Sequence, residues 1–84
     1  MRPVVLYTTS FCPYCIRAKQ LLDSKQVAYE ERSVDGDRQL RAEMSMRAGR
    51  TSVPQIWIGD THVGGCDDLY ALERKGKLDA LLQD

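Results

Sequence analysis

The chain has 84 residues, enough for one domain with a single core, so residues 1–84 are read as one unit. Its 12 basic and 12 acidic residues balance, which argues against a nucleic-acid or membrane-surface module acting through a basic face. Three cysteines form an odd set that a framework of paired bridges does not explain. No apolar run approaches the roughly 20 residues of a membrane span. The opening M-R-P-V-V-L-Y lacks the apolar stretch and cleavage site of a secretory leader. The expectation is a soluble cytoplasmic protein in a reducing compartment, where C-x-x-C signals metal or redox chemistry.

Val4-Val5-Leu6-Tyr7 is a short apolar run, as expected of a strand buried on both faces. After Cys12-Pro13-Tyr14-Cys15, the residues Ala18, Leu21 and Leu22 recur at helical spacing, while Arg17, Lys19, Gln20 and Asp23 face outward. Val27 to Val34 leans toward strand, and its Glu30-Glu31-Arg32 core suggests a polar strand near a sheet edge. Asp35-Gly36-Asp37 offers turn and N-cap chemistry. A second helix follows, with Leu40, Met44 and Ala48 on one stripe, Glu43 four residues before Arg47, and Gly49 as a left-handed cap. Gln55-Ile56-Trp57-Ile58 and Thr61-His62-Val63 flank Gly59-Asp60 as a tight hairpin, with one face packed and one partly exposed. Asp67 to Lys75 reads as a third helix stopped by Gly76, and Leu78, Leu81 and Leu82 as a short terminal turn or helix. The order β-α-β-α-β-β-α predicts an α/β fold: a small mixed sheet flanked by helices, with a parallel first pair and antiparallel strands on the other side. The chemistry belongs where the first strand hands over to the first helix.

Cys12 lies there, followed by Pro13, the residue best tolerated at a helix's first position. Near the N-cap, its sulfur meets orphan N–H groups and the positive end of the helix dipole. Thiols in such places fall to about 3.5–7.5 from an ordinary value near 8.5. Cys15 is one turn in, on the stripe of Ala18 and Leu22, and should be mostly buried. The outer sulfur attacks and the inner one resolves, as thiol–disulfide exchange requires. Zinc is a poor alternative. It needs four ligands, and Cys66 and His62 do not complete a structural-zinc spacing, so no metal site is assigned. A purely structural bridge over so short a loop would remove little chain entropy.

Two further motifs accompany the pair. Pro54, in Thr51-Ser52-Val53-Pro54, opens a strand, where base rates favour a trans bond. A cis bond would expose the N–H and C=O of Val53 to a peptide-like ligand. Gly64-Gly65-Cys66-Asp67-Asp68 opens the third helix. Its carboxylates read either as plain caps or as part of a pocket for a zwitterionic amino-acid head, whose carboxylate would meet the N–H donors and whose ammonium would meet the aspartates. Cys66 reads as a small buried apolar residue, the sharper alternative being an exposed thiol near the site.

With C-P-Y-C, T-S-V-P and G-G-C-D-D in this order and at these separations, the chain resembles the glutaredoxin family along essentially its whole length, and specifically the small dithiol bacterial type. The resemblance implies a thioredoxin-like fold with a four-stranded mixed sheet, a cis Pro54, and glutathione as co-substrate with no bound cofactor. It also implies Cys12 as nucleophile and Cys15 as resolving cysteine. Tyr14 would flank the tripeptide and Val53, beside Pro54, would pair with its cysteine backbone. Asp67 and Asp68 would receive the γ-glutamyl head, and Arg41 would lie near the glycine carboxylate. The implied activity is glutathione-dependent reduction of mixed disulfides and protein disulfides by a monomer. One departure is Thr9, where many members carry lysine, which removes a positive charge near Cys12; Arg41 and Arg17 are the two candidates to compensate for it in part. Two rivals stand beside this reading. One is a thioredoxin-like electron donor fed by a flavin reductase, which needs no γ-glutamyl pocket. The other is an iron–sulfur cluster carrier, which Pro13 disfavours within the resembling family.

Overall fold

A computed structural model of the chain describes residues 1–83. The elements are β1 (Val4–Thr8), α1 (Pro13–Ser24), β2 (Glu30–Ser33), α2 (Arg38–Ala48), β3 (Gln55–Ile58), β4 (Thr61–Gly64), α3 (Cys66–Arg74) and α4 (Leu78–Leu82). They build one sheet in the order β2-β1-β3-β4. β1 pairs parallel with β2 through the α1 crossover, and β3 runs antiparallel to both β1 and β4. This is the four-stranded mixed sheet of the thioredoxin-like fold, and the polar β2 lies at an edge as its charges required.

The two apolar strands lie in the middle because helices cover both faces. On one face Val4, Leu6, Ile56 and Ile58 pack with Ala18 and Leu22 of α1, Leu69 of α3 and Leu78 and Leu82 of α4. On the other, Tyr7 and Trp57 pack under Met44 of α2 with Val34, and Leu40 and Ala48 extend the contact. The expected half-exposed β3 is therefore corrected: all four residues are buried, since α2 closes the face that a simple hairpin would leave wet. Arg47 adds a guanidinium 4.6 Å above the Trp57 ring.

The expected strand from Val27 to Val34 is also shorter, beginning at Glu30. Gln26 takes a left-handed turn at φ 58°, and the Val27 N–H donates back to the Leu22 carbonyl at 3.0 Å. Val27 thus ends the helix and plugs the core with its side chain, leaving the pairing to the residues after it. α2 has the caps read from the sequence: the Asp37 carboxylate accepts from the Leu40 N–H at 3.0 Å, and Gly49 closes it in the left-handed region. α3 starts one residue earlier than expected, with Gly65 as its N-cap. The terminal leucines form a distinct helix, α4, with Leu78 and Leu82 buried. No helix among the described residues is long and apolar enough to cross a membrane.

Candidate active site

Cys12 is the N-cap of α1 and Pro13 its first residue. Its extended backbone (φ −137°, ψ 99°) turns the sulfur back over the helix end, where it accepts from the Cys15 N–H at 3.0 Å. An orphan helix donor and the helix dipole thus both face the sulfur, which lowers the cost of negative charge there. The sulfurs of Cys12 and Cys15 are joined in a disulfide, their Cα atoms 5.2 Å apart. Cys12 is 7 % exposed and Cys15 1 %, so the outer and inner positions are ordered as the helix geometry required. The loop before Cys12 is pinned from β2's side. Asp35 accepts from both the hydroxyl and the N–H of Ser10, the latter at 2.7 Å, and these bonds hold its carboxyl below the ordinary range.

Across from the pair, the Val53 carbonyl oxygen lies 3.8 Å from the Cys12 sulfur, and the Val53–Pro54 bond is cis. A groove of about 220 Å³ continues from there, lined by Tyr14, Ser52, Val53, Pro54, Arg50 and the start of α3 from Gly65 to Asp68. The three separated motifs therefore meet in one cleft. Tyr14 is largely exposed along one wall. At the far end Asp68 reaches back to its own helix N-terminus, one oxygen accepting from the Gly65 N–H and from Arg50 Nη1, each at 2.9 Å. The Gly65 N–H first, and Arg50 second, hold the Asp68 carboxyl below the usual carboxylate range. Asp67 is exposed beside it. Asp68 is thus a cap, and Asp67 is the outward-facing carboxylate at this helix start.

Gly64 makes this arrangement possible. Its φ of 115° is closed to most side chains, and a Cβ there would run into the Asp68 carboxylate. Cys66 is 3 % exposed and belongs to the core while also lining the groove, and burial pushes its thiol up. Its expected role as a small buried residue agrees with that placement.

Arg41 is not among the groove-lining residues. Its Nη2 donates to the Thr51 carbonyl at 3.1 Å, beside Ser52 of the groove wall. Arg17 stacks over the Tyr70 ring at 5.4 Å. The cation that does line the groove is Arg50, which the sequence reading missed. Its position directly before T-S-V-P was visible, but a pairing with Asp68 across 18 residues was not. Also missed was Gln55, fully buried and bonded to both Ser52 and His62. Burial, reinforced by Arg50 and Arg47 and opposed by Asp68, pushes the His62 imidazole below its ordinary value.

The Glutaredoxin family model matches residues 4–63. The chain is 70 % identical over 82 residues to a glutaredoxin of Pseudomonas aeruginosa, covering 98 % of each. The solution structure of a Brucella melitensis glutaredoxin superposes with a TM-score of 0.88 at 56 % identity, over 98 % of this chain and 89 % of that one. A buckwheat glutaredoxin–glutathione complex superposes with a TM-score of 0.89 at 32 % identity, over 96 % of this chain and 76 % of that one.

Proposed function

The chain belongs to the glutaredoxin family of thiol–disulfide oxidoreductases, and from that premise we propose that it reduces glutathione mixed disulfides and protein disulfides at the expense of glutathione. The observation that carries the reading is the cleft itself. The helix-capped Cys12 sulfur lies 3.8 Å from the Val53 carbonyl, and Val53 borders a groove that ends at the acidic start of α3. An extended γ-Glu-Cys-Gly peptide matches those features in order. Its cysteine backbone pairs with Val53 beside Cys12, Tyr14 and Pro54 flank it, and its γ-glutamyl head meets the α3 N-terminus, with Asp67 and Asp68 toward its ammonium. Arg50 supplies a positive charge at the Asp68 end of the groove, and Arg41 acts by holding Thr51. That a buckwheat glutaredoxin of the same fold forms a complex with glutathione supports glutathione as the ligand.

In the monothiol route the Cys12 thiolate attacks the glutathione sulfur of a mixed disulfide. The Cys12–glutathione disulfide forms, and the other thiol leaves as thiolate and takes a proton. A second glutathione thiolate then attacks the glutathione sulfur of that intermediate, releasing oxidised glutathione and the Cys12 thiolate. In the dithiol route Cys12 attacks a protein disulfide, and Cys15, losing its proton, attacks Cys12 to expel the protein thiol. The Cys12–Cys15 disulfide that remains is reduced by two glutathiones. At the class's poise of about −200 to −230 mV it exchanges readily with a glutathione pool. The protein would act as a monomer in the cytoplasm, with glutathione as co-substrate and no bound cofactor.

The test is reduction of a small glutathione mixed disulfide coupled to glutathione reductase and NADPH. Turnover is expected in wild type and Cys15→Ser, and none in Cys12→Ser. Loss of activity in Cys15→Ser would overturn the assignment of the two cysteines. No turnover in wild type, with disulfide reduction sustained by thioredoxin reductase, would replace the proposal with a thioredoxin-like donor.

A further inference from the structure

Gln55 is an anomaly in β3: an uncharged polar side chain, fully buried, on a central strand. An apolar residue would fill that space without amide groups to satisfy. Both ends of the amide are in use. Nε2 donates to the Ser52 carbonyl at 3.0 Å, and Oε1 lies 2.8 Å from His62 Nε2. With the amide nitrogen committed to Ser52, its oxygen faces the imidazole, so His62 Nε2 is the donor. The hydrogen bonds therefore run in one direction, from His62 on β4 through Gln55 to the Ser52 carbonyl. His62 is held in place by its position opposite Trp57, their rings 4.7 Å apart.

The Ser52 carbonyl and the Val53 N–H belong to one planar trans peptide and point in opposite directions. Gripping that carbonyl from the buried side turns the Val53 N–H away from the core. We infer that Gln55, steadied by His62, is a positioning residue that presents the Val53 N–H to the peptide backbone of the ligand. This inference rests on the proposed glutathione chemistry and adds two residues that touch neither ligand nor sulfur.

The experiment is steady-state reduction of a glutathionylated peptide by glutathione, in wild type, Gln55→Leu, His62→Phe and His62→Gln. Melting temperature and alkylation of reduced Cys12 without glutathione are measured alongside. In Gln55→Leu, KM for the glutathionylated peptide should rise about tenfold, the scale of one lost hydrogen bond, with kcat and Cys12 alkylation little changed. His62→Phe keeps the ring against Trp57 but loses the donor, and should raise KM severalfold. His62→Gln restores a donor at the same reach and should recover it. If Gln55→Leu does not fold, the His62 pair decides. Unchanged KM with a lowered melting temperature would reduce the network to a structural role and overturn the inference, as would equal KM in His62→Phe and His62→Gln. Absence of turnover in wild type is a different result, which overturns the proposed function and this inference together.

Discussion

The backbone N–H of Cys15 donates to the sulfur of Cys12 across 3.0 Å. Stabilisation of the Cys12 thiolate therefore draws on the backbone of Cys15, whatever its side chain. In reduced protein at mildly acid pH, iodoacetamide should label Cys12 first and leave Cys15 and the buried Cys66 largely unmodified, as read by peptide mass mapping. Cys15→Ser should leave the Cys12 labelling rate nearly unchanged. Equal labelling of Cys12 and Cys15 would contradict the asymmetry.

Gly64 holds a φ of 115° with the Asp68 carboxylate where a Cβ would stand. Gly64→Ala should cost at least about 1 kcal/mol of stability and displace Asp68 from the Gly65 N–H. Chemical denaturation would measure the first effect. A raised KM for a glutathione mixed disulfide would report the second, because the same helix start closes the groove.

Asp68 has a carboxyl depressed below its ordinary value of 3.8, through the Gly65 N–H first and Arg50 second. A depressed carboxyl contributes stability that is fully present above the unfolded-state pKa and is lost as pH falls through the folded one. The melting-temperature difference between wild type and Asp68→Asn should therefore be constant above about pH 5 and shrink below 3.8. The carboxylate is 43 % exposed, so solvent and salt weaken the Arg50 share, and the difference should fall with added salt. A difference that grew toward acid pH would refute this reading.

Met44 is fully buried on the inner face of α2, whereas Met46, two residues on, is 86 % exposed. Met44→Ala should cost about 2–5 kcal/mol by opening a cavity against Tyr7 and Trp57. Met46→Ala should fall within about 0.5 kcal/mol of wild type. Urea titrations of the two variants provide the comparison. Comparable losses would mean that α2 packs on a different face.

Much of the fold and half of the site were legible because they are local. Pro13 after Cys12, Asp37 before α2 and Gly49 after it act within one helical turn, so residue type and spacing are enough to place them. The apolar runs of β1 and β3 announced a sheet covered on both sides for β1, yet the same evidence left β3 half exposed. Its burial depends on α2 lying over Trp57, a contact that periodicity in a four-residue strand does not encode. Val27 illustrates the opposite error. Its β-branched side chain suits a strand, but the helix termination before it assigned that side chain to the core. The resemblance supplied the cis Pro54 that base rates opposed.

By itself, then, the sequence determined a capped, asymmetric cysteine pair at a strand-to-helix junction, because that chemistry lies within four consecutive residues. Only the tertiary structure decided which cation faces Asp68, that Arg41 bonds the Thr51 carbonyl, and that Gln55 ties His62 to Ser52. Those contacts join segments brought together by the strand order β2-β1-β3-β4 and by the approach of α3 to the Ser52–Pro54 turn. A polar side chain's partner depends on what the folded backbone places within about 3 Å of it, and no local pattern carries that information.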